Sequence, residues 1–196
     1  MARRQSQNRK LQSLIVIFTE GVTEKIYFKK LNQKYKRKIK IEPIHDGNQG
    51  LNAIHEARKS INNPKELKFK GSKIEKVYII FDKDDLSLKN LIDAKREADR
   101  LGYKIGFSNE TFELWILLHF QLVNTKHGRS KLKREISKQI NREYDDKAKT
   151  DDQLISSFVD SVKIALKNAD KFSNEISFDK NPYTNVGWII KEIYEL

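Results

Sequence analysis

Apolar residues along this chain fall into two kinds of pattern. Leu14 to Phe18 (LIVIF) and Val77 to Phe81 (VYIIF) are unbroken runs of strand length, as in strands buried on both faces of a parallel sheet. Ile39 to Ile44 (IKIEPI) alternates instead, which together with Pro43 predicts a shorter strand near an edge. Tyr103 to Phe107 (YKIGF) is a fourth strand candidate. Between these runs the apolar spacing is helical: Ile26, Tyr27 and Leu31; then Leu51, Ile54 and Ile61 after the turn DGNQG; then Leu88 to Leu101, stopped by Gly102. The charged stretch from Asn62 to Lys73, with Pro64 and Gly71, reads as a loop, and residues 1–11 as a flexible basic arm. Strands alternating with helices over the first 120 residues predict an α/β fold, a mainly parallel four-stranded sheet flanked by helices through right-handed crossovers.

Ser108 or Asn109 can cap a following helix, ETFELWILLHF, which is apolar almost all round and so must be buried, yet carries Glu110 and Glu113 in its first turn. From Asn124 onward the chain becomes helical and more charged. A basic segment from Lys126 to Arg142 gives way to an acidic and polar break, YDDKAKTDD. One amphipathic helix then runs from Leu154 to Leu166, and Thr184 or Asn185 caps a last one containing Val186, Ile189, Ile190 and Ile193. The expected organisation is an α/β domain over 12–120 with a helical extension, 121–196, packing on it.

Length and charge narrow the classes of function. A chain of 196 residues suits one good core. The net charge of +12 favours a polyanionic partner such as nucleic acid, and Lys126, Arg129, Lys131, Lys133 and Arg134 are candidates to contact its backbone. Without cysteine, disulfides, thiolate zinc sites and cysteine nucleophiles are excluded. Apolar runs are too short to span a membrane and no signal-peptide pattern follows the basic start, so a soluble cytoplasmic protein is expected. The four histidines lack metal-ligand spacing, and His119 reads as a core residue. No Walker A loop, GxGxxG or Ser-His-Asp arrangement is present.

The acids carry the chemistry. Glu20 follows the first strand, Asp82, Asp84 and Asp85 end the third, and Glu110 and Glu113 open the helix after the fourth. In a parallel sheet these lie on one edge, where they repel one another unless cations neutralise them. Mg²⁺ or Mn²⁺ is the simplest compensation, and the Asp82-Lys83-Asp84 spacing lets two carboxylates of one turn reach one ion. Singly, each acid could instead be a turn or capping residue, or complement a helix dipole.

FTEGVTEKIYF at 18–28 and FDKDD at 81–85 resemble the EGxTE and DxD signatures of Toprim domains. More narrowly, SNETFELWILLHF at 108–120 and NPYTNVGWIIKEI at 181–193 resemble RloB-like proteins, small bacterial Toprim proteins of restriction and phage-defence loci. The resemblance implies a Toprim-like, that is Rossmann-like, catalytic domain over 12–120. It implies Glu20 in acid-base or metal chemistry, Asp82 and Asp84 as metal ligands, and Glu24 and Glu113 as supporting ligands, with Asp85 unassigned. The chain has neither an obvious tyrosine-nucleophile companion domain nor a zinc module, which leaves phosphodiester hydrolysis of RNA, tRNA included, or of DNA. The expectation is therefore a divalent-metal-dependent Toprim nuclease acting in antiphage defence, with Glu20, Asp82 and Asp84 catalytic. A non-catalytic nucleic-acid-binding or sensor subunit working with an ATPase partner is the alternative. A phosphatase or receiver-like protein is a third reading.

Overall fold

The computed structural model describes residues 11–63 and 71–196. The arm expected over 1–11 and the middle of the loop expected over 62–73 lie outside the described residues, except at their ends. Along the chain run β1 (Gln12–Thr19), α1 (Val22–Tyr35), β2 (Lys40–His45), α2 (Gly50–Asn62), β3 (Ser72–Asp82), α3 (Leu88–Leu101), β4 (Lys104–Asn109) and α4 (Glu113–Leu117). Then come α5 (Arg129–Ile140), α6 (Asp146–Thr150), α7 (Asp152–Asp160), α8 (Val162–Ala169), β5 (Tyr183–Thr184) and α9 (Val186–Tyr194).

The strands form one sheet in the order β2-β1-β3-β4-β5. The first four are parallel, with Ile17 opposite both Pro43 and Tyr78, and Phe81 opposite Phe107. Both unbroken apolar runs are buried along their length in the centre, while β2, with its proline, is an edge. The chain direction reverses its order between β1 and β3, and their carboxyl ends open at that point, which is where such sheets bind ligands.

The sheet has one strand more than the sequence pattern predicts, because two residues of the tail add an antiparallel edge beside Ser108 and Asn109. Asn185 is the reason. Its carboxamide oxygen accepts from Phe107 N at 2.7 Å and its amide donates to Ile105 O at 2.9 Å, so its side chain extends the ladder of β4; Asn185 still holds the N-cap position of α9, as expected, and the Thr184 hydroxyl accepts from Val186 N at 3.3 Å.

Four further expectations are corrected. Ser108 and Asn109 belong to β4 and do not cap the next helix: Ser108 Oγ pairs with Thr184 Oγ1, and Asn109 holds the carbonyls of Phe178 and Lys180. The helix after them starts later and is only α4, and the N–H of Phe112 just before it is taken by Asp82 of β3. The YDDKAKTDD break contains helix α6, because Asp145 accepts from Ala148 N and Asp151 caps α7. The single helix expected from Leu154 to Leu166 is split at Ser161, whose N–H bonds Phe158 O three residues back.

Helices α2 and α3 pack against each other, while α1 packs against α6 and α7. Tyr27 of α1 sits among Phe28, Phe112, Trp115 and His119, with ring centroids 5.6 to 6.3 Å away. His119 is buried there, bonded to Tyr27 Oη through Nε2, while its Nδ1 faces the carbonyls of Trp115 and Ile116. Burial holds its pKa down at about 4.

Candidate functional site

The carboxyl ends of β1 and β3 open into a cleft of about 360 Å³. Six carboxylate residues line it, Glu20, Glu24, Asp82, Asp84, Glu113 and Asp146, against two cationic ones, Arg129 and Lys149. In a protein with a net charge of +12 this is a local reversal of sign.

Backbone geometry sets each acid in place. Glu20 follows the last residue of β1, and its N–H bonds Ile80 O at 3.0 Å, continuing the sheet. Its carboxylate accepts from Asp82 N at 3.1 Å, which ties the ends of the two central strands together. Asp82 is the last residue of β3 and only 8% exposed; one oxygen accepts from Phe112 N at 2.9 Å and the other, Oδ1, is buried with no hydrogen-bond partner. Two residues on, Asp84 turns at φ +37°, a left-handed conformation that Asp tolerates better than most residues.

Glu24 lies in the first turn of α1, where the helix dipole favours a negative charge. Gly21 leaves room for that carboxylate, because a Cβ there would stand 2.1 Å from Glu24 Oε2 and would push the side chain aside. Glu113 opens α4 and is buried beside Lys149, whose Nζ is 2.6 Å from Glu113 Oε1. Helix α6 is held there from the side, since Thr23 Oγ1 of α1 donates to Lys149 O at 3.0 Å, and Lys30 pairs with Asp152 at the start of α7. On the opposite lip Arg129, the first residue of α5, forms an ion pair with Asp84.

The acids titrate as a repelling group in a poorly solvated place. Burial, then the charges of Glu24, Glu20 and Glu113, raise the Asp82 pKa well above the usual carboxylate range. Burial pushes Glu24 up to about 7, aided by Glu113 and Glu20. Burial also raises Glu20, against the opposing Asp82 N–H and Arg129 charge. Burial would raise Glu113 too, but the charge and hydrogen bond of Lys149 bring it below its ordinary value.

Of the residues singled out from the sequence, Glu20, Glu24, Asp82, Asp84, Glu113 and Arg129 are brought together. Glu110 is not: its Oε1 accepts from Asn181 Nδ2 at 2.9 Å, away from the cleft. Asp85 is exposed and outside it as well. Lys126 and Lys131 are exposed and outside the cleft, while Lys133 and Arg134 line a neighbouring groove together with Glu143, Asp145 and Asp146.

Sequence reasoning missed Lys149, hidden in a segment read as a break, although Asp145 three residues before Ala148 is a legible capping signal. It also missed Asp46. The second strand reads as having no acid behind it, yet Asp46 directly follows β2, bonds Thr19 O through its N–H, and raises Glu20 by its charge.

Chemically, the donor set suits a hard divalent ion, being all carboxylate with one buried oxygen free. Among the described residues, however, no group of three or more Asp, Glu or His side chains stands in an arrangement that could hold a metal ion. Asp84 and Glu113 are engaged by Arg129 and Lys149 instead.

The fold and the cleft together define a Rossmann-like α/β protein with an acidic cleft at the carboxyl edge of its sheet. The sequence matches the RloB-like protein family over residues 15–193, and the chain belongs to that family. No curated protein and no solved structure matches it. No helix among the described residues is long and apolar enough to cross a membrane.

Proposed function

We propose that the protein is a divalent-metal-dependent Toprim nuclease that hydrolyses phosphodiester bonds of RNA, tRNA included, or DNA. The observation that carries this reading is the convergence of Glu20, Glu24, Asp82 and Glu113 on one cleft, with a buried Asp82 oxygen that has no partner. Such a group is unfavourable without a cation and is explained by one.

Asp82 and Asp84 would hold Mg²⁺ or Mn²⁺, with Glu24 and Glu113 as supporting donors. When bound, a divalent ion supplies positive charge against the scissile phosphate and a more acidic water. Glu20 takes up the proton of the attacking water. Burial raises its pKa, which makes it a stronger base than an exposed carboxylate, and the Asp82 N–H fixes its orientation. Arg129 of the cleft, with the exposed Lys126 and Lys131 near it in sequence, would supply positive charge for the phosphate backbone. The resemblance to Toprim proteins of phage-defence loci supports a role in antiphage defence.

The test is incubation of wild type, Glu20→Gln and the double variant Asp82→Ala with Asp84→Ala, each with RNA, tRNA and DNA in Mg²⁺, Mn²⁺ or EDTA. Cleavage by wild type in metal alone, lost in both variants, is expected. Cleavage that survives loss of both aspartates overturns the proposal. Binding of nucleic acid without any cleavage would favour a sensor subunit acting with an ATPase.

A further inference from the structure

Two cations from the helices beyond the α/β domain reach into an otherwise acidic cleft, and each sits on a carboxylate that a metal ion would need. Arg129 is paired with Asp84, and Lys149 with Glu113. Their exposures differ: the Arg129 side chain is 52% exposed and the Lys149 side chain 25%. Asp84 and Glu113 are thus satisfied, whereas Asp82 deeper in the cleft is not.

We infer that Arg129 and Lys149 are the resident counter-ions of the cleft, exchanged when a divalent ion and a nucleic-acid phosphate bind together. This rests on the metal-dependent reading of the cleft. The physical argument is one of charge balance. A divalent ion that enters alone must displace two cationic side chains and then lie beside them. A phosphate arriving with it gives both side chains an anion to hold. Arginine is the suited partner, because its fork of donors takes two oxygens of one phosphate and its exposed stem leaves it free to turn. Lysine offers a compact charge from the other lip. Metal and phosphate affinities are then linked, and the linkage is reciprocal. Through this exchange the cleft selects a phosphate-bearing substrate, and the metal-loaded state is reached mainly with that substrate present.

The experiment measures Mn²⁺ affinity of the full chain by titration calorimetry, after EDTA treatment, at one pH and ionic strength. The probes are Mn²⁺ alone and Mn²⁺ with a short phosphorothioate oligonucleotide that resists cleavage. Wild type is compared with Arg129→Gln, Lys149→Gln, the double variant and Asp82→Asn. Arg129 is a surface residue, so its variant keeps the test decisive even if Lys149→Gln folds poorly. Two results are expected: Arg129→Gln binds Mn²⁺ about tenfold more tightly than wild type without oligonucleotide, and the oligonucleotide tightens wild type by roughly 5- to 150-fold but the double variant far less. Variants that bind Mn²⁺ no better than wild type, while Asp82→Asn abolishes binding, overturn the counter-ion exchange and leave the metal site standing. Absence of Mn²⁺ binding from every protein, with or without oligonucleotide, overturns both.

Discussion

Replacing Lys149 by methionine removes one charge, keeps the length of the side chain, and leaves Glu113 facing Glu20, Glu24 and Asp82 without its partner. The Glu113 side chain is 8% exposed, so solvent compensates little. Removing one member of a buried pair costs about 3–5 kcal/mol, and the partial exposure of Lys149 moves the figure toward or below the lower end. Glu113 also has an escape, because it can take up a proton. Relative to its ordinary pKa of 4.5, protonation costs about 3 kcal/mol at pH 7 and less than about 1 kcal/mol at pH 5. The loss is therefore about 2–3 kcal/mol at pH 7 and below about 1 kcal/mol at pH 5. In wild type the Glu113 pKa is depressed, so its contribution is present above pH 4.5 and is lost as pH falls through the folded value, which gives the same sign.

Urea unfolding in EDTA, followed by the fluorescence of buried Trp115, measures this, and for a chain of this size the melting temperature should fall by about 4–12 °C at neutral pH. The double variant Lys149→Met with Glu113→Gln removes both charges and should recover most of the loss. An unchanged midpoint at pH 7, or an equal loss at both pH values, would refute the reasoning.

Two more outcomes are expected. Burial depresses His119 to about 4 from 6.5, so its contribution to stability is complete above pH 6.5 and drains away as pH falls toward 4, by about 3 kcal/mol. Urea titrations at pH 7 and 4 should show wild type losing that much more than His119→Gln, and parallel losses would discard the idea. Gly21→Ala keeps an allowed backbone at φ −103° but drives a methyl group into the Glu24 carboxylate. Cleavage with Mn²⁺ should fall on the order of tenfold to a hundredfold while the melting temperature moves by a few degrees; an unchanged kcat/KM would show that Glu24 does not take part.

The fold was legible where one physical signal dominates. Unbroken apolar runs cannot be placed at a surface without exposing them, so Leu14–Phe18 and Val77–Phe81 read directly as central strands. Pro43 cannot donate to a ladder, so its strand read as an edge. Asn185 is the N-cap residue of the last helix, as its sequence position suggests, but its side chain bonds β4 instead of the helix; which backbone an amide bonds depends on β4 lying beside it. The helix after β4 was drawn too long for a related reason, since Ser108 and Asn109 are claimed by the tail, far away in sequence.

For the site, the sequence by itself determined that strand ends would deliver Glu20, Asp82 and Asp84 to one edge, because parallel strands joined by crossovers must end on the same side. It could not determine which other acids follow them. Asp46, in the turn after β2, acts on Glu20 by its charge without lining the cleft, while Glu110 is drawn off by Asn181 and Asp85 stays in solvent. Nor could it show that α5 and α6 return to the cleft with Arg129 and Lys149. A long side chain reveals its partner only once the helix bearing it is docked: α5 packs on α4, while α6 is held by Thr23 and the packing of α1, contacts that span more than a hundred residues.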